Sequence, residues 1–64
     1  MSFTRTEAAG RAKQWANETG KPQIVYQDEC GYFLATSLER YNSDPQGYKR
    51  VSVLEIIQPE QKPV

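Results

Sequence analysis

Any chemistry in this chain would start from Cys30, its only thiol, set in the run Asp28-Glu29-Cys30-Gly31. A thiol reacts as the thiolate, which needs a base or a positive charge beside it. The chain has no histidine. That removes the side chain that titrates nearest neutral pH, the base of the Ser and Cys triads and the commonest metal ligand. Lys21 and Lys49 are the remaining candidate activators, and no motif ties either to the thiol. Asp28 and Glu29 flank it with negative charge, which disfavours a thiolate. Cys30 therefore reads as the third residue of a turn, with thiol-dependent activity at Cys30 kept as an alternative.

The carboxylates give no stronger signal. Asp28 with Glu29, or Asp44 alone, lacks the alternating ligands and closing glutamate of a calcium loop. There is no P-loop, no Rossmann glycine pattern and no zinc-ligand set. The sequence predicts no enzyme, no catalytic residue, no cofactor and no metal.

Aromatic residues raise a second possibility. Tyr26, Tyr32, Phe33, Tyr41 and Tyr48 are many rings for 64 residues, and sheets can stack bases on such rings. The segment "CGYFLATSL" resembles in outline the aromatic strand of an RNA-recognition sheet. It departs from that pattern by placing Cys30 at the basic position, by lacking alternating aromatics and by strand order. Eight basic residues balance eight acidic ones, without the cationic excess that phosphates require. Packing is the main reading of these tyrosines, and single-stranded nucleic-acid binding the alternative.

These residues must be positioned by very few elements. A chain this short buries roughly 60% of the surface it exposes when unfolded, about enough for one helix on one small sheet. "TRTE" matches a capping box, with Thr4 as N-cap and Glu7 reaching back to the N-cap amide. At 100° per residue Ala8, Ala9, Ala12, Trp15, Ala16 and Thr19 fall within an arc of about 120°. Gly20 and Pro22 then stop the helix. The spacing predicts an amphipathic helix over 5–19, with Trp15 as its large buried anchor.

"QIVYQ" (23–27) and "GYFLATSL" (31–38) read as strands joined by a four-residue loop at 28–31. Residues 39–47 are rich in turn formers, with Asp44-Pro45-Gln46-Gly47 as a further turn. "YKRVSVLEII" (48–57) reads as a third strand. Its alternation slips between Val53 and Leu54, as a bulge or apolar contacts on both faces would require. Two prolines in "QPEQKPV" predict a disordered tail.

The predicted fold is α+β. One N-terminal amphipathic helix packs on a three-stranded antiparallel sheet (α-β-β-β), with a domain over 1–57 and a flexible tail over 58–64. A meander is the simplest strand order, and the third strand flanking the first is the other. No apolar run reaches a membrane span and the N-terminus lacks a secretory core, so the expected location is cytoplasmic.

A four-residue loop at 28–31 places Ile24, Tyr26, Phe33 and Ala35 on one face, the better match to the helix. Val25, Tyr32 and Leu34 then share the other face, joined by Leu54 or Ile56. One helix covers one face, so Val25, Tyr32 and Leu34 are the predicted contacts to a partner protein or a second copy. The expected function is a small non-enzymatic interaction or regulatory module. Its size and neutral charge suit an accessory protein of the kind carried by bacteria and mobile elements.

Overall fold

A computed structural model describes residues 4–60. Among them the order is α1 (Arg5–Thr19), β1 (Gln23–Gln27), β2 (Phe33–Ser37), α2 (Leu38–Ser43) and β3 (Ser52–Ile57). The fold is α+β, with α1 packed on an antiparallel sheet of strand order β2-β1-β3.

The first helix begins at its capping box. The Thr4 hydroxyl accepts from Glu7 N–H at 3.1 Å and donates to the Glu7 carboxylate at 3.2 Å. Glu7 thus turns to the hydroxyl of the cap, where its amide was expected. Gly20 ends the helix in the left-handed region (φ 69°), its N–H donating to the Ala16 carbonyl at 2.8 Å. Ala8, Ala12 and Ala16 are completely buried. Trp15 is 40% exposed, which corrects its reading as a buried anchor. The helix rests on its i, i+4 alanine line, and the centre of that line lies about 60° around the axis from Trp15. Alanines hold the helix too near the sheet for an indole to fit between, so the ring lies on the flank.

The central strand is β1, with β3 on its far side from β2. The chain therefore follows the second of the two expected strand orders. The long connection from β2 to β3 makes this feasible, because it crosses over β1 and lays Tyr48 against Tyr26. Its first part is α2, a helical segment where the sequence predicts turns. Ser37 caps it, its Oγ accepting from Arg40 N–H at 3.0 Å. β3 starts at Ser52, and 45–50 form turns.

The hairpin register differs by one residue from the expected one. Gln27 faces Phe33, and Val25 faces Ala35. Asp28 and Tyr32 close the loop, Asp28 N–H donating to the Tyr32 carbonyl at 3.0 Å. The Asp28 carboxylate holds the turn by accepting from Cys30 N–H at 3.0 Å and Tyr32 N–H at 2.9 Å. Gly31, with φ 93°, is the additional residue that follows such a turn in a three-residue hairpin loop. A slip of one residue changes which side chains share a face. Val25 therefore sits with Phe33 and Ala35 against Ala8 and Ala12, completely buried.

A second irregularity lies in β3. Val25 pairs with Glu55, and Tyr26 with Val53, leaving Leu54 as the extra residue of a bulge. Leu54 and Ile57 join the helix-side core, with Ala9 at its margin. Val53 and Ile56, opposite Tyr26 and Ile24, point to the other face. Of the segment expected as a free tail, 58–60 are described. Glu60 N–H donates to Asn17 Oδ1 at 2.7 Å, and its carboxylate meets Lys13 Nζ at 2.9 Å. Residues 61–64 lie outside the described residues. Among the described residues no helix is long and apolar enough to cross a membrane.

Candidate functional site

The sheet face away from α1 carries Ile24 and Tyr26 from β1, Leu34 and Thr36 from β2, and Val53 and Ile56 from β3. Part of it is roofed. Tyr48 meets Tyr26 edge-on, with ring centroids 5.5 Å apart and planes at 87°. Tyr41, on α2, packs against Tyr48 at 5.6 Å. The Tyr48 hydroxyl reaches Thr36 Oγ1 at 3.5 Å. Edge-to-face geometry sets the positive ring edge against the negative face of its neighbour. Burial first, then the negative charges of Tyr48 and Asp28, raise the Tyr26 phenol above its ordinary pKa, against an opposite pull from Arg40.

The cover stops short of β3. Ile24 is completely buried, whereas Val53 is 39% and Ile56 51% exposed. β3 is also an edge strand, with no strand on its outer side among the described residues. An unpaired edge presents backbone N–H and C=O groups that can template another strand. Two exposed apolar side chains and a backbone edge with no strand partner among the described residues thus lie on one element, whose Leu54 carbonyl accepts from the Arg5 guanidinium at 3.5 Å.

The predicted site residues do not form one surface. Val25 lies beneath the helix and is excluded as a contact by its complete burial. Leu34 is on the outer face, half-buried opposite Tyr26. Tyr32 closes the hairpin loop just outside β2 and is 37% exposed. Val53 was missing from the sequence-based surface, while Ile56 and Leu54 were grouped together there. The signal that separates them is the slip in the β3 alternation, once it is read as a bulge that sends Leu54 inward.

Cys30 is exposed in the loop, where its N–H bonds to Asp28 Oδ1. The neighbouring Glu29 pairs with Arg50 at 3.6 Å between two exposed side chains. Among the described residues no group of three or more cysteine, aspartate and glutamate side chains is placed to hold a metal ion. No protein-family model, curated protein or solved structure gives a significant match to the chain.

Proposed function

We propose that this chain is a small non-enzymatic interaction module that pairs with a second copy of itself along β3 and the open part of the outer face. The observation that carries the reading is the exposure of Val53 and Ile56 on an unpaired edge strand. Two further facts favour a copy of the same chain as the occupant. The net charge is zero, so no long-range repulsion opposes self-association. The completely buried apolar residues among the described ones are three alanines, Ile24 and Val25, a small core, and association is a usual means of enlarging one.

Base stacking gains no support from the tyrosines. Tyr26, Tyr41 and Tyr48 have their rings packed on one another. Thiol chemistry gains none from a loop cysteine with acidic neighbours.

Sedimentation velocity over a range of concentrations tests the proposal. The expected result is a monomer–dimer equilibrium that persists in high salt, because apolar contacts are not screened. Ile56→Lys should remain folded and sediment as a monomer. A wild-type chain that is monomeric at every concentration overturns the reading.

A further inference from the structure

Arg5 stands where the first turn of α1 meets β3. Its Nη2 donates to the Leu54 carbonyl at 3.5 Å, and its Nε lies 3.8 Å from Glu55 Oε1. About half of the side chain is exposed, so neither contact is sealed from water. Leu54 is the extra residue of the β3 bulge and has no partner on β1. Such a residue is left outside the ladder, and its carbonyl is open to another donor. Here the donor is a guanidinium from a residue 49 positions away in the chain.

The helix gains nothing from this charge. Arg5 is the first residue of α1, where a cation opposes the partial positive charge of the helix N-terminus. Glu7, in the same turn, carries the favourable sign. An exposed ion pair at 3.8 Å adds little to stability. The guanidinium does, however, occupy the strand edge. Leu54 and Glu55 lie between Val53 and Ile56, the exposed apolar residues of β3. Charge laid over an edge is one way a fold blunts strand pairing. An added strand would run about 4.8 Å from β3, a spacing that does not admit a guanidinium as well. Two copies related by a twofold axis through the middle of β3 would also bring two Arg5 side chains together.

We infer that Arg5 is an autoinhibitory contact on the β3 edge: it holds Leu54 and Glu55 in the free chain and must leave them before a second copy pairs there. The inference rests on the proposed pairing through β3 and names what regulates it. Salt favours release, because it screens the exposed Arg5–Glu55 pair and leaves the apolar contacts of Val53 and Ile56 intact.

Sedimentation equilibrium of the wild-type chain and of Arg5→Gln, each in low and in high sodium chloride, tests it. Arg5→Gln should stay folded, because it removes an unfavourable charge from the helix end. In low salt it should dimerise about fivefold more tightly, as expected when two exposed contacts no longer have to break per dimer. Adding Ile56→Lys to it should abolish that dimer. The wild-type dimer should tighten as salt rises, and the Arg5→Gln dimer should not. The wild-type salt dependence decides by itself should Arg5→Gln fail to fold. The inference is overturned if Arg5→Gln pairs no more tightly than wild type, or if the wild-type dimer does not tighten with salt. In both cases a wild-type dimer that Ile56→Lys abolishes leaves the β3 reading standing. A wild-type chain that stays monomeric while Arg5→Gln pairs through β3 has the opposite meaning: it supports the autoinhibitory contact and overturns self-association of the wild-type chain. Absence of a dimer in every protein and condition overturns both.

Discussion

The two faces of the sheet are closed by different means. Against the helix, the contact is made by alanines and short aliphatics: Ala8, Ala12 and Val25 are completely buried, with Ala35, Leu54 and Ile57 around them. On the other face the cover is a connection, and its side chains are tyrosines that pack on one another. The outer face is sealed at Ile24 and open at Ile56, its direct partner across the strands. The difference teaches that a second layer can be a connection containing one short helix. Two rings, Tyr41 on α2 and Tyr48 in the turns after it, cover the centre of the sheet face but do not reach the edge.

The sharpest way to break this comparison is to place the same charge on each face. Val25→Lys buries an unpaired ammonium under α1, where loss of several kcal/mol is expected. Against a total stability of about 5–15 kcal/mol, that variant should show no cooperative thermal transition. Leu34→Lys should fold and lose about 1–2 kcal/mol, because a half-buried lysine can extend its amine to water. Equal losses in thermal melts would mean that the two faces are equivalent, and the register would be wrong.

Smaller effects sharpen the picture of the outer cover. Tyr48→Ala removes the ring that meets both Tyr26 and Tyr41, at an expected cost of about 1–3 kcal/mol in denaturant unfolding. Trp15→Ala should cost less, about 1–2 kcal/mol, because the indole lies on the helix flank. A loss above about 3 kcal/mol would return Trp15 to the core.

The least effect is pH-dependent. The folded-state pKa of Tyr26 is raised, mainly by burial. Its contribution is fully present below the unfolded tyrosine value of about 10 and is lost as pH rises through the folded value. Stability should therefore fall at alkaline pH, and the fall should be shallower in Tyr26→Phe. Identical alkaline profiles for the two proteins would remove this role.

Much of the fold was legible because local chemistry decides it. The limits of α1 follow from Thr4, Glu7 and Gly20, and those of β1 from a short β-branched run. The bulge was visible as a slip in alternation between Val53 and Leu54. The site was less legible, and one glycine accounts for most of the difference. Gly31 suits the last position of a four-residue turn and also the left-handed position that follows it. The second choice depends on Asp28 pairing with Tyr32, a contact between strands that local propensity does not specify. That single residue moved Val25 from the outer face to the core. The Trp15 misreading has a related cause. A helical wheel gives an arc, but the size of the alanines decides which part of the arc touches the sheet.

Amide hydrogen exchange at low and high protein concentration tests the central claim most directly, that the open edge and face of β3 receive a second copy of the chain. Backbone amides of Ser52–Ile57 that point away from β1 should exchange more slowly as concentration rises, while those of α1 stay unchanged. The Ile56→Lys variant should lose that dependence. Exchange of the β3 amides that is the same at all concentrations in the wild-type chain would contradict the account.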